Sequence, residues 1–246
     1  MNYLKAMILA LLFGIFSWSG CFIDINDNGG IFNCLNGDGV WETRTLDMDT
    51  FSGIKLNMAI DVYITQGDDF LVEVEGKEDI IDELDLDVHN DIWEIETGRC
   101  VRDIGNMKIY ITMPNIKSLK ISGSGKIIGE NEFTVDDIDL IISGSGDMDL
   151  LLDAQNIDAN ISGSGEMWLE GNADLLDFNI SGSGDLNAFN LFCNDVKIRI
   201  SGSGDARVNA LDTLYVNISG SGDVFYKGHP SIDVHISGSG DLIDAN

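Results

Sequence analysis

The chain contains few basic residues and few cysteines, and these shortages exclude several classes of protein. Its 246 residues include 14 Lys and Arg against 42 Asp and Glu, a net charge of −28. Nucleic-acid binding needs clustered Lys and Arg, so we expect no nucleic-acid partner. The same deficit argues against direct adsorption to anionic lipid headgroups. The four cysteines form no Cys-x-x-Cys pair and none lies beside a histidine, so the sequence contains no zinc motif.

Long apolar runs are also scarce, and the clearest one lies near the N-terminus. The run Ala6–Phe16 follows a lysine and is too short to cross a membrane as a helix. This pattern predicts a signal peptide over residues 1–20. A Ser-Gly pair directly before Cys21 resembles the lipobox of bacterial lipoproteins, which implies acylation of Cys21 and attachment to a membrane through acyl chains. The alternative is an ordinary signal peptide cleaved nearby. In either case we expect residues 21–40 to form a flexible tether.

The tetrapeptide Ser-Gly-Ser-Gly occurs seven times in the second half of the chain, at steps of 18 to 21 residues. Every copy follows an isoleucine, and five of the seven precede an aspartate. A repeat this short cannot bury a core by itself, so the copies must stack on one another. The copies begin at Ser122, Ser143, Ser162, Ser181, Ser201, Ser219 and Ser237.

Apolar residues alternate with polar ones on both sides of each copy. Counted from its first serine, the positions one and three residues earlier are apolar in all seven copies. A period of two is typical of strands with one face inward. Both glycines fall at inward positions, and we interpret them as a corner too sharp for an inward side chain. The pattern predicts an all-β fold, a right-handed parallel β-helix (β-solenoid) with coils of about 19 residues.

Residues 41–115 lack the repeat but keep the strand-like alternation. We expect them to form an irregular N-terminal portion, either opening coils or a β-rich cap, ahead of the regular β-helix over residues 116–246. A cap is needed because the end coils of a solenoid expose edges that can pair with other strands. The predicted elements are strands at Phe51–Leu56, Ala59–Thr65, Phe70–Val74, Asp91–Thr97 and Lys108–Met113, and a helical turn at Lys77–Leu84.

The C-terminal end has no comparable cap in the sequence, because Asn246 lies only nine residues after the last copy begins. We expect the final edge either to be shielded by charge or to associate with another copy of the chain.

The remaining cysteines allow one disulfide. An exported protein permits disulfides, and Cys34 and Cys100 both lie outside the repeat. We predict that they pair, and the alternative is free thiols. Cys193 follows an apolar Leu-Phe pair and is expected to be a small buried hydrophobic residue.

Three segments together resemble a known family. They are Phe51–Lys55, Asp61–Gly67 and the junction Pro114–Gly125, and with the repeated Ser-Gly-Ser-Gly-Asp they cover roughly residues 40–246. This combination resembles the putative auto-transporter adhesin head domain, a domain of unknown function common in Bacteroidetes lipoproteins. The resemblance implies an exported β-helical protein of the cell surface or periplasm, and it implies no catalytic motif.

Stacked coils place the aspartates that follow the motif in one column. Like charges about 5 Å apart repel by roughly 1 kcal/mol per neighbour in a water-like dielectric, and Ca²⁺ would offset that repulsion. The alternative is a solvated acidic edge screened by salt. The sequence implies no other cofactor. The hypothetical calcium ligands are Asp147, Asp185, Asp205, Asp223 and Asp241.

An enzyme is the main alternative function, because parallel β-helices include polysaccharide lyases and pectinases that use carboxylates. The repeat contains no long insertion of the kind that usually carries an active site, and no Ser-His-Asp pattern stands out. His89, His229 and His235 are expected at the surface.

Aromatic residues at outward positions indicate adhesion instead. Trp168 and Tyr215 have outward parity, and Phe225 and Tyr226 are adjacent aromatics near the end of the repeat. Exposed aromatic rings can stack on sugars, and the alternative is packing beneath a neighbouring loop.

The sequence therefore predicts an exported, lipid-anchored, non-enzymatic β-helical protein of the cell envelope, adhesin-like or a scaffold. It would be an outer-membrane lipoprotein, periplasmic or surface-exposed, whose partners are the membrane, a glycan or protein ligand and another copy of itself. The alternatives are a carbohydrate-active β-helix enzyme and a calcium-stabilised glycan-binding module.

Overall fold

The computed structural model describes residues 34–246, and these are nearly all β. The described residues contain sixteen strands and one helical turn, α1 (Glu78–Ile81). Within residues 34–246 no helix is long and apolar enough to cross a bilayer. The strands are β1 (Trp41–Thr45), β2 (Gly53–Leu56), β3 (Asp61–Gln66), β4 (Leu71–Lys77), β5 (Val88–His89), β6 (Ile92–Ile95), β7 (Lys108–Met113), β8 (Ser118–Ile121), β9 (Lys126–Ile142), β10 (Asp147–Ile161), β11 (Glu166–Ile180), β12 (Asp185–Ile200), β13 (Ala206–Ile218), β14 (Val224–Lys227), β15 (Ser231–Ile236) and β16 (Leu242–Asp244).

The strands stack in parallel, and the offset between paired residues equals the repeat step. Each of β9 to β13 runs along most of one coil and pairs with the strands of the coils on either side. The isoleucines before the motif stand directly opposite one another through the stack, which confirms the predicted solenoid. This column consists of Ile121, Ile142, Ile161, Ile180, Ile200, Ile218 and Ile236.

The Ser-Gly-Ser-Gly corners lie over one another and are bonded from coil to coil. The first serine of each copy donates its backbone N–H to the residue before the preceding corner, an isoleucine in most coils, at 2.7–2.9 Å. From the second copy onward, the second serine donates its N–H to the first glycine of the preceding copy at 2.8–3.1 Å. These bonds satisfy the corner backbone, which a turn buried against another turn requires.

The glycines of the motif are required by this stacking. A Cβ on Gly163 would lie 1.9 Å from the carbonyl oxygen of Gly144, and a Cβ on Gly204 would lie 1.9 Å from that of Gly184. The second glycine of each copy is buried, as the alternation predicts, but the first is half-buried in six copies and exposed in the last. The sequence interpretation, that the corner is too sharp for an inward side chain, therefore needs correction. The first atom that a side chain would meet is the corner of the preceding coil.

The inward residues form one continuous apolar core. The residues one and three positions before each corner are buried through most of the stack, and Phe133 and Phe178 are fully buried within it. The core continues into the N-terminal portion, where Trp93 is also fully buried and donates its Nε1–H to the carbonyl of Asp85 at 2.8 Å.

The first parallel coil of the N-terminal portion, formed by β2 and β3, lies one coil from the end of the stack. β2 lies between β6 and β8, and β3 lies between β7 and β9. The chain therefore forms one coil with β2 and β3 and then forms a second coil with β6 and β7 on one side of the first. It then returns to the other side of the first coil, where β8 and β9 begin the regular repeat. Lys117 fixes the return by donating its N–H to the carbonyl of Ser52 at 2.8 Å.

Antiparallel strands and the helical turn close the N-terminal end. β4 pairs antiparallel with β7, and β1 pairs antiparallel with β4. Ile80 and Ile81 of α1 are buried against this end of the core. Residues 41–115 thus contribute both opening coils and a cap, the two forms that the sequence left open.

The C-terminal strands expose the inward face that earlier strands bury. Within the described chain, β15 pairs only with β13, and β16 only with β14. Val234 and Ile236 occupy core positions of the repeat but remain 41% and 43% exposed, and Ile232 is 41% exposed. Within residues 34–246, β15 therefore presents exposed apolar side chains at this side of the stack.

Candidate functional site

The aspartates that follow the motif form one column, and their carboxylates accept hydrogen bonds from the coil that follows in sequence. In four places the backbone N–H of a column member donates to Oδ1 of the aspartate in the preceding coil. The bonds, donor first, run from Glu166 to Asp147 (3.3 Å), from Asp205 to Asp185 (2.7 Å), from Asp223 to Asp205 (2.9 Å) and from Asp241 to Asp223 (2.8 Å). These side chains therefore cap the backbone where each corner ends and the next strand begins.

This role gives the aspartate column a structural explanation. An ionised carboxylate that accepts a backbone N–H makes one of the stronger hydrogen bonds in proteins. Within residues 34–246, no group of three or more His, Cys, Asp or Glu residues is arranged to hold a metal ion. The calcium hypothesis for this column stays a prediction.

Most of the outward aromatic residues lie beside cations. Lys126 Nζ stands 5.6 Å from the ring centre of Trp168, Arg199 Cζ 6.0 Å from that of Tyr215, and Arg207 Cζ 5.1 Å from that of Phe225. The same contact joins Lys227 to Phe189 at 4.5 Å. Such pairs contribute about 0.5–1 kcal/mol each at exposed sites. The rings are thus partly covered by neighbouring cationic side chains.

A groove crosses the stack on another face, where the strands bend. It has a volume of about 710 Å³ and is lined by residues of β9 to β13 together with Gln66 and the return segment 115–117. Its floor consists of small apolar side chains in register, Val135, Ala154 and Ala173. The small floor residues leave a depression between the taller polar side chains on each side.

One wall of the groove alternates amides with carboxylates. These residues stand seven positions before the first serine of successive copies. Gln155 Nε2–H donates to Asp136 Oδ1 at 2.6 Å, and Asn194 Nδ2–H donates to Asp174 Oδ1 at 3.0 Å. Alternation removes the like-charge repulsion that a pure aspartate row would suffer. We call this wall the amide–carboxylate row: Asn115, Asp136, Gln155, Asp174 and Asn194.

The opposite wall is more varied. Thr134, Asp153, Asn172 and Phe192 follow one another in register along successive coils. Phe192 is 51% exposed, and Leu211 in the next coil is 44% exposed. The groove therefore ends in an exposed apolar surface on its C-terminal side.

Gln66 fixes the N-terminal end of the groove. Its side-chain Nε2–H donates to the carbonyl of Thr134 at 3.1 Å, and its Oε1 accepts the N–H of Thr134 at 2.7 Å. Its backbone N–H and carbonyl bond to the Asn131 amide at 2.9 Å each. The opening coil is thereby tied to the bend of β9.

Asp158 lies on a third column, between two other carboxylates. Burial raises the pKa of Asp158, and the negative charges of Asp177 and Asp139 raise it further, while Arg199 lowers it. Arg199 forms an ion pair with Asp177. Asp139 is ion-paired with Lys120, so the repulsion in this column falls mainly on Asp158.

The histidines are exposed, as expected for surface or edge residues. The closest pair they form is His235 Nδ1 to Asp233 Oδ1 at 3.9 Å. None of the three lines the groove.

The cysteines occupy two environments. Cys34 and Cys100 are joined by a disulfide, and the strand-like bonds from Leu35 to Cys100 and from Arg102 to Leu35, 2.9 Å each, hold the same segment. Cys193 is buried, as the sequence predicted, and burial raises the pKa of its thiol to about 12. Cys21 lies outside the described residues.

Sequence reasoning missed the groove. Its amide–carboxylate alternation is visible once the copies are aligned at seven positions before the motif, where Asn, Asp, Gln, Asp, Asn and Asp follow in turn from residue 115. The depth of the groove could not be predicted from sequence patterns, because it depends on where the long strands bend.

Comparison with known proteins agrees with the fold and with the earlier resemblance. A putative adhesin of Bacteroides fragilis shares 26% identity, with 85% of this chain and 99% of that chain covered at a TM-score of 0.79. A putative adhesin of Parabacteroides distasonis shares 24% identity over 87% and 100% of the two chains, with a TM-score of 0.71. A putative lipid binding protein of the same species shares 24% identity over 86% and 99%, with a TM-score of 0.74. No curated protein matches the chain significantly.

A family model covers most of the chain. It describes the putative auto-transporter adhesin head GIN domain, and it matches residues 50–230. That range includes the opening coils, the cap except for β1, and six of the seven corners. The chain therefore belongs to the putative auto-transporter adhesin head GIN domain family.

Proposed function

We propose that the protein is an exported, lipid-anchored and non-enzymatic module of the cell envelope that acts as an adhesin-like or scaffold protein. Family membership and the neighbours described as putative adhesins support the adhesive role and a location at the cell surface or envelope. The lipobox-like sequence ending at Cys21 supports attachment through acyl chains, and the shortage of basic residues favours that route over direct binding to anionic headgroups.

The observation that carries this proposal is the repeated bonding of outward side chains between coils. In the aspartate column and in the amide–carboxylate row, polar groups bond to the equivalent group one coil away. Side chains held in this way present a fixed surface. These carboxylates hold neighbouring coils together through Oδ1, and this structural role explains their repetition without catalysis.

The length of the stack suits a presenting role. Nine parallel strands, from β6 to β15, follow one another in the column that contains the isoleucines. At about 4.8 Å between strands, this column is roughly 38 Å long. A side face of that length offers a ligand several equivalent coils, and the net negative charge disfavours lateral aggregation.

The anchoring half of the proposal is tested by labelling cells with a fatty-acid analogue. The chain should incorporate label, and Cys21→Ser should abolish incorporation. Cys193→Ala is the matched control, because Ala154, Ala173 and Ala210 already occupy the equivalent position in neighbouring coils. Unchanged labelling of Cys21→Ser would refute anchoring at this residue.

The envelope location and the non-enzymatic role need separate measurements. Protease added to intact cells should degrade a surface-exposed chain, and protection until the outer membrane is opened would indicate the periplasm instead. Incubation of the purified protein with polysaccharides should release no new reducing ends or unsaturated products. Time-dependent release that requires the groove carboxylates would overturn the non-enzymatic proposal in favour of the carbohydrate-active alternative.

A further inference from the structure

The groove runs along the stacking direction and crosses several coils. Most of its lining residues come from five successive strands, β9 to β13. At about 4.8 Å per coil, the groove is roughly 19 Å long. Its ligand should therefore be extended and should present similar groups at intervals close to the coil spacing.

The polar groups of the groove match hydroxyls. A hydroxyl both donates and accepts hydrogen bonds. The amide–carboxylate row offers acceptors at Asp136 and Asp174 and both donors and acceptors at Gln155 and Asn194. Each carboxylate has two oxygens, and the bonds within the row engage Oδ1. The second oxygen of each aspartate is the group that a ligand hydroxyl would reach.

The exposed apolar end supplies a stacking surface. The ring of Phe192 is half-exposed and lines the groove together with Leu211. Exposed aromatic faces favour flat ligands with C–H groups, as in the ring of a sugar. The combination of hydroxyl-matching walls with an aromatic end is typical of a carbohydrate site.

The charges of the groove exclude an acidic ligand. Among the described residues that line it, Asp136, Asp137, Asp153 and Asp174 are acidic and Lys117 alone is basic. A uronic acid or sulfated glycan would be repelled by this site and by the whole chain.

The backbone of the groove disfavours an extended peptide. Peptides that bind as added strands need a sheet edge with free N–H and C=O groups. The groove crosses β10, β11 and β12 in their middle, where each strand pairs with both neighbours. A peptide here could use side-chain contacts only, without the backbone hydrogen bonds that give strand addition its affinity.

We propose that this groove binds an extended, uncharged oligosaccharide along the stacking axis, with Phe192 as its stacking platform and the amide–carboxylate row as its hydroxyl-binding wall. The biological meaning of this site rests on the proposed adhesive function. Binding by purified protein is measured apart from acylation and location, so the two proposals fail independently.

The test is calorimetric titration of the full chain carrying Cys21→Ser. The probes are cellohexaose, xylohexaose, mannohexaose and maltohexaose, with hexagalacturonate and hexalysine as charged comparators of the same length. At least one neutral hexasaccharide should bind saturably. Phe192→Ala should weaken that binding about tenfold, and Gln155→Ala should weaken it about threefold to tenfold.

Phe225→Ala is the matched control, because Phe225 is a partly exposed phenylalanine outside the groove. It should leave the affinity unchanged, and thermal melts should show that all three variants are folded. The proposal is overturned if no neutral hexasaccharide saturates, or if Phe192→Ala binds as well as Phe225→Ala. Tighter, salt-sensitive binding of hexalysine would assign the groove to a basic peptide instead, and preferred binding of hexagalacturonate would contradict the charge argument.

Discussion

Replacing Gly163 by alanine tests the stacking of the corners directly. The new Cβ would lie 1.9 Å from the carbonyl oxygen of Gly144, whereas real contacts of this kind stay beyond about 3 Å. Two coils must therefore separate locally by about 1 Å out of a spacing of about 4.8 Å. The separation weakens the bond from the Ser164 N–H to the Gly144 carbonyl, now 3.0 Å, and the bond from the Ser162 N–H to the Ile142 carbonyl, now 2.8 Å.

These losses give the expected magnitude. Two hydrogen bonds contribute about 1 kcal/mol each, and overpacking of a close-packed site costs about 1–3 kcal/mol. Gly163→Ala should therefore lower the free energy of unfolding by roughly 3–5 kcal/mol. Urea denaturation followed by circular dichroism measures the change, provided that the slope with denaturant stays the same.

Gly123→Ala is the matched control. Gly123 has the same position in the first copy, but its Cβ would lie 3.2 Å from the nearest atom, the carbonyl oxygen of Asn57. Both substitutions restrict the unfolded chain equally, so their difference isolates the contact. We expect Gly123→Ala to cost less than about 1 kcal/mol. Equal losses for the two variants, or a loss below about 1 kcal/mol for Gly163→Ala, would show that the corners do not stack as closely as described.

Four further predictions concern charge, the disulfide, the open edge and calcium. The raised pKa of Asp158 means that this side chain favours folding while it is protonated, and that the contribution is lost as the pH rises through its pKa. Asp158→Asn should therefore stabilise the protein at pH 7 but not below about pH 4, by no more than about 1 kcal/mol because the side chain remains largely in contact with solvent. An equal gain from Asp149→Asn, on another column, would refute the reasoning. Cys100→Ser opens a disulfide between residues 66 apart in sequence and should cost about 2–5 kcal/mol in urea denaturation, and no change on reduction of the wild type would contradict this. Self-association through β15 should appear in sedimentation at high concentration and vanish in Ile236→Lys, and a wild-type monomer throughout would end that hypothesis. Calcium at millimolar levels should raise the melting temperature if it binds the aspartate column, and identical melts with chelator would dismiss the site.

The agreement between sequence and structure is closest where a residue's role depends on its neighbours along the strand. Ile64, Val74 and Ile95 are buried as their alternation predicts, and the helical turn and most strands of residues 41–115 lie within a few residues of the predicted bounds. The strand β1 was not predicted, because its pairing with β4 depends on a contact distant in sequence. The reason for the glycines was also misjudged, since it lies in the neighbouring coil.

The sequence by itself determined the solenoid, its coil length and its buried columns. A repeat with a period of two inside each copy has one way to bury every inward side chain, which is to stack copies in register. Only the tertiary structure decided that the coil of β2 and β3 lies between later coils, that the column aspartates bond to backbone N–H groups, and that a groove forms where the long strands bend. These features depend on distances between residues about 20 or more positions apart, and alternation along one strand carries no information about such distances.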